Sequence, residues 1–122
     1  MPHNKIDIKK AGIFAITVGT SLLALDAGII GGSTWEKLEL LGKRGVLSPG
    51  DVKTIEQAFT FLVRVRLQWQ LRERAVKVKP SNYINPLAMT DNERDQFRQA
   101  LKGVKTFLRI MDHRYHLNFI SI

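Results

Sequence analysis

The chain has 122 residues, 44% of them hydrophobic and 25% charged, with 19 Lys plus Arg against 11 Asp plus Glu and a formal net charge of +8. That length suits one domain, residues 1–122, with a core that needs no staple, and the absence of cysteine excludes disulfides, thiolate catalysis and Cys-based zinc or iron–sulfur sites. The positive charge speaks to partners (nucleic acid, nucleotide phosphates, acidic protein surfaces or anionic lipid) and not to fold.

In chain order, the first element is the alternating stretch Ile6-Asp7-Ile8-Lys9, which places Asp7 and Lys9 on one side. It reads as a short extended segment. Its charges are either solvated or aimed at whatever faces the domain. Lys9 and Lys10 then precede fifteen uncharged residues, Ala11 to Leu25. A basic pair before an apolar run is the order of an export signal. Against that, Asp26 interrupts the run and Gly12, Gly19 and Gly28 dilute it, and a membrane span needs about 20 predominantly apolar residues. The spacing therefore predicts a core helix over 13–27, packed on several sides because Phe14, Ile16, Val18, Leu22, Leu23 and Leu25 cover most of its circumference. With no membrane partner, the expected location is cytoplasmic.

Three later helix starts carry capping-box spacing, Ser33 with Glu36, Ser48 with Asp51 across Pro49, and Thr90 with Glu93. The second helix, over 35–43, is short and closed by Gly42 and Gly45. The third, over 50–76, is long. Val52, Ile55, Phe59, Leu62, Val65 (or Arg66) and Trp69 recur along it at steps of three and four, with Ala58 beside them. Pro80, Asn82, Asn85 and Pro86 make residues 79–89 a loop. The last helix, over 91–116, presents Phe97, Leu101, Val104, Leu108, Met111 and Tyr115 at the same spacing. The fold class is all-α, an antiparallel bundle of four main helices with a short N-terminal extended segment.

No Gly-rich phosphate loop and no Ser-centred elbow occurs, so the sequence shows no catalytic set. Asp112, His113 and His116 sit together on the last helix. The only other histidine is His3, which leaves too few ligands for a metal site; these are helix-end surface histidines. More informative is the third helix. Between Arg64 and Lys79 stand six basic residues against Glu73 alone. Arg64 and Arg66 diverge by about 200° on a helix, and the apolar stripe turns Arg66 inward, between Leu62 and Trp69. A buried guanidinium needs an acid or a bound anion. The acid would be Asp7, Asp26 or Glu73.

The segment Ile6-Asp7-Ile8-Lys9-Lys10-Ala11-Gly12-Ile13 resembles the Asp-x-Lys-x-x-Gly opening of the nucleotidyltransferase substrate-binding domain, the helical part that follows the catalytic domain in a family of bacterial nucleotidyltransferases. The likeness continues through Arg44-Gly45-Val46-Leu47-Ser48, through Gln57-Ala58-Phe59-Thr60-Phe61-Leu62 with Arg64, Arg66, Gln70 and Leu71, and through Asn82-Tyr83-Ile84-Asn85-Pro86-Leu87. The chain departs from the family pattern at Trp69, where a histidine is common, and near Ala15 and Ser21, where a proline and an arginine are. The family's catalytic signature, Gly-Ser followed by Asp-x-Asp, is absent: Gly32-Ser33 has no such pair after it.

The resemblance implies a non-catalytic helper domain, the C-terminal part of a longer signalling protein. An upstream catalytic domain would hold magnesium and a nucleoside triphosphate, and CBS or cyclic-nucleotide-binding domains would regulate it. This bundle would close the cleft and orient acceptor or nucleotide, with Asp7, Lys9, Lys10, Arg64, Arg66 and Gln70 as the expected substrate-binding residues. Two other classes compete. A free-standing basic module would bind nucleic acid with steep salt dependence. An interaction bundle would associate with a protein partner or with itself, through Phe59, Phe61 and Trp69.

Overall fold

The computed structural model describes residues 5–116, and His3 lies outside them. It is an antiparallel bundle of four helices, α1 (Phe14–Asp26), α2 (Thr34–Lys43), α3 (Pro49–Ala75) and α4 (Asp91–Tyr115), as the apolar spacing predicts. A π-helical turn, Lys9–Ile13, leads into α1. The predicted N-terminal extended segment is the strand β1 (Ile6–Asp7). It pairs antiparallel with β2 (Tyr83–Ile84) in the loop before α4, Ile6 opposite Ile84 and Asp7 opposite Tyr83. No helix among the described residues is long and apolar enough to cross a membrane.

The caps set the boundaries. Ser33 Oγ accepts from the Glu36 N–H (3.1 Å), and the Glu36 carboxylate accepts from the Ser33 N–H (3.0 Å). Thr90 and Glu93 form the same reciprocal pair. Ser48 accepts from the Asp51 N–H (3.1 Å) with Pro49 at the first helical position, and here the side chain of Asp51 does not answer. At its C-terminus α3 stops at Ala75, before Lys77 and Lys79 of the basic stretch, because Lys77 turns into the left-handed region (φ 58°) and the Val78 N–H bonds back to the Glu73 carbonyl.

Core packing centres on α3 and α4. Ile55, Ala58, Phe59, Leu62 and Val65 are buried on α3. On α4 the buried face is Phe97, Ala100, Gly103, Val104, Phe107 and Met111, rotated from the predicted stripe so that Leu101 and Leu108 are only half-buried. The reason is backbone approach. A Cβ at Gly103 would come within 2.7 Å of Ala58 Cβ and 3.2 Å of the Thr54 carbonyl oxygen, and one at Gly19 within 2.5 Å of the Phe107 ring. Small residues mark the contact line, and the large ones flank it.

The first helix differs from expectation. Ile16, Gly19, Thr20, Leu23 and Ala24 face the core, but Phe14, Val18, Leu22 and Leu25 stay exposed. An apolar circumference promises contacts all round; here α1 lies at the edge of the bundle, and its neighbours reach only one side. Its C-terminus is tied to α4 where the Tyr115 hydroxyl donates to the Asp26 carboxylate.

Both contacts can be tested by substitution. Gly103→Ala should lower stability by about 1–3 kcal/mol in urea unfolding, because backbone must shift, whereas Gly50→Ala, at a helical position with nothing within 4 Å, should leave it unchanged or raise it by up to about 1 kcal/mol. Burial, then the hydrogen bond to Asp26, raises the Tyr115 phenol above its ordinary value of 10.0. A raised folded-state value means stabilisation that is complete below the ordinary value and lost as pH rises through the folded one. The stability gap between the native chain and Tyr115→Phe should therefore close as pH is raised above 10.0, read from urea midpoints on both sides.

Candidate functional site

The predicted site residues fall into two groups, and the sorting begins on α3. Arg66, Gln70 and Glu73 are spaced four and three apart, hence on one helix face. All three grip the loop that carries β2. Arg66 Nε donates to Asn82 Oδ1 (2.8 Å), Gln70 Nε2 donates to the Ser81 carbonyl oxygen (3.3 Å), and the Glu73 carboxylate accepts from the Ser81 N–H (3.0 Å) and hydroxyl (3.1 Å). Ser81 Oγ in turn accepts from the Tyr83 N–H (3.3 Å).

Asn82 carries the connection onward. Its carbonyl oxygen accepts from the Ile8 N–H at 2.8 Å, immediately after the β1–β2 pair. Asp7 ends the strand, and its Oδ1 accepts from the Lys10 N–H of the π-helical turn (3.2 Å). Lys9 and Lys10 are exposed at that first helical turn. Asp7, Lys9, Lys10, Arg66 and Gln70, remote in sequence, are thus joined at one end of the bundle through a single loop. Gly12 seats the same turn on the core, where a Cβ would come within 2.6 Å of Val104 and 2.7 Å of Leu62.

Arg66 is half-buried and forms no ion pair among the described residues. The three expected acids bond to other groups instead: Asp7 to the Lys10 N–H, Asp26 to the Tyr115 hydroxyl and Glu73 to Ser81. The guanidinium is satisfied at Nε by a neutral amide, so its charge is not cancelled. The ion pairs Lys43–Glu39, Arg94–Asp91 and Arg98–Asp95 lie on α2 and α4, each within one helical turn, and draw no acid to this end. Arg72 lies over the Trp69 ring, 5.6 Å from its centroid, and Arg74, Lys77 and Lys79 are exposed beside it. The result is a cationic end of the molecule with a fixed backbone frame.

Arg64 does not join this group. It lines an open groove of about 710 Å³ on another face of α3, with Trp35, Gln57, Phe61, Gln96 and Gln99. Trp35 is held there by its indole N–H on the Thr60 hydroxyl (2.8 Å) and an edge-on contact with Phe59. Of the residues expected at an interaction face, Phe59 is buried, while Phe61, on the groove, and Trp69 are half-buried against the core. His113 and His116 are exposed at the end of α4, and among the described residues no three His, Asp or Glu side chains converge as metal ligands. Sequence reasoning missed Ser81, Asn82 and Glu73 as the clamp. The signal was present in the shared face of residues 66, 70 and 73.

The model of the family described as "putative nucleotidyltransferase substrate binding domain" matches residues 2–115, and the chain belongs to that family. No curated protein and no solved structure matches it.

Removing the amide that joins the two segments tests the clamp. Asn82→Ala should cost about 1.5–3 kcal/mol, as expected for a hydrogen bond to a charged group, and speed amide exchange at Ile8. Gln70→Ala, which loses one longer neutral bond, should cost about 1 kcal/mol or less. Urea unfolding with hydrogen exchange at Ile8 distinguishes them.

Proposed function

We propose that this domain orients a phosphate-bearing substrate, the nucleotide or its acceptor, against a separate catalytic domain. The observation that carries the reading is the meeting of the N-terminal segment with the cationic half of α3 through Asn82. Lys9 and Lys10 stand at one side of that joint and Arg66 and Gln70 at the other, with Asp7 fixing the turn between. Cations gathered at a hydrogen-bonded joint and left without carboxylate partners among the described residues suit a polyanion, whose oxygens would answer their charge.

Triphosphate oxygens fit this donor set. Magnesium does not, because among the described residues no three His, Asp or Glu side chains converge to hold it. In this reading the metal belongs to the catalytic domain, where it would align the attacking and leaving oxygens in phosphoryl transfer. The bundle contributes binding and position only. It forms the C-terminal part of a longer bacterial cytoplasmic protein, with CBS or cyclic-nucleotide-binding domains as the regulatory partners of a signalling chain.

The division of the predicted residues between two faces supplies the test. Isothermal titration of a nucleoside triphosphate into the intact protein should show affinity lowered about tenfold or more by Lys9→Glu, a loss of roughly 1.4 kcal/mol. Arg64→Glu, on the groove face, should change it by less than about twofold. Equal affinities for the native protein and Lys9→Glu would remove the N-terminal segment from the site.

A further inference from the structure

The exposed side of α1 is a continuous apolar stripe. Phe14, Val18, Leu22 and Leu25 are 58%, 50%, 40% and 65% exposed, and their spacing of four, four and three keeps them on one face. No charge falls between Ala11 and Leu25, in a chain of net charge +8. A row of large apolar side chains left in water along a whole helix marks an interaction surface.

The ends of the stripe say what covers it. Lys10 stands one turn before Phe14 and Asp26 one turn after Leu22, both exposed, so the face runs from a cation through an apolar centre to an anion. That sequence is complementary to itself when reversed. We infer that α1 pairs antiparallel with α1 of a second copy of this chain, about a twofold axis at Val18. Residues equidistant from Val18 then oppose one another: Phe14 meets Leu22 of the second copy, and Lys10 meets Asp26 of the second copy, twice by symmetry. A parallel arrangement would set Lys10 against Lys10 and Asp26 against Asp26.

The opposite side of α1 fits the arrangement. Ile16, Gly19 and Leu23 are committed to the core, so the stripe is not a face waiting to fold inward. Asp26 keeps its bond to Tyr115 and has carboxylate lone pairs to spare for a lysine. Pairing takes Lys10 out of the set of substrate-facing cations named above and leaves Lys9 in it. It does not depend on the proposed function, and substrate affinity does not test it. The contact is one short helix pair, smaller than a standard interface, so the dimer should be weak and form in the micromolar range.

Sedimentation equilibrium of the 122-residue chain over about 10–300 μM should show the mass rising from 13.9 kDa toward twice that value. Val18→Glu places two carboxylates face to face on the axis and should hold the chain monomeric throughout, with an unchanged far-ultraviolet spectrum because the site is exposed. Lys10→Glu should weaken association, and adding Asp26→Lys should restore it. Since the chain has no cysteine, Val18→Cys provides a single thiol on the axis. On mild oxidation it should cross-link at least about tenfold faster than Lys105→Cys on the exposed side of α4, as expected when pairing brings the two thiols together. A native chain that stays monomeric across the range, a Val18→Glu dimer, or equal cross-linking of the two cysteine variants would each overturn the pairing.

Discussion

Close backbone approach at three glycines is the constraint on which the rest of this bundle depends. Gly12 sets the entry turn against Leu62 and Val104, Gly19 sets α1 on the ring of Phe107, and Gly103 sets α4 on Ala58 and the Thr54 carbonyl. A methyl group at any of these would meet heavy atoms closer than side chains tolerate. Because α1 lies this low on α4, its inward face is used up by a few small and branched residues. Its outward face is then free to carry large apolar ones.

The cationic end is organised by neutral partners. A guanidinium half-buried without a carboxylate is costly unless its N–H groups are answered, and the Asn82 amide answers Arg66 without cancelling its charge. Glu73, the acid nearest in sequence, is diverted to Ser81. Hydrogen bonds thus supply rigidity and leave the electrostatic field intact. An ion pair in the same place would have supplied rigidity at the cost of that field.

Much of this was legible in the sequence. Caps at Ser33, Ser48 and Thr90, and apolar steps along α3 and α4, were enough for four helices in the right places, since these are local patterns with local causes. The inward turn of Arg66 was legible too, from its position between Leu62 and Trp69. Its partner was not, because the choice between an acid and an amide is made by a loop that folds back from residue 82. The environment of α1 was misjudged for a related reason: hydropathy reports that Phe14, Val18, Leu22 and Leu25 are apolar, but it is the packing of distant segments that decides which of them find neighbours. Arg64 and Arg66 were separated by helix geometry alone, yet only the tertiary structure put Arg64 on a groove with Trp35.

The strand pair has a kinetic side. Ile6 and Ile84 close a loop spanning most of the chain with only two residues of ladder, and closing a long loop carries an entropic cost that few hydrogen bonds offset. Helices adjacent in sequence, α1 with α2 and α3 with α4, make nearer contacts and can assemble first, leaving β1 to dock on a formed bundle. The last segment to dock is also the easiest to release, a local opening well below the energy of global unfolding. Lys9 and its neighbours ride on that segment. The bonds from Asn82 to Arg66 and to the Ile8 N–H are therefore what keep that N-terminal segment in register with α3 once it has docked.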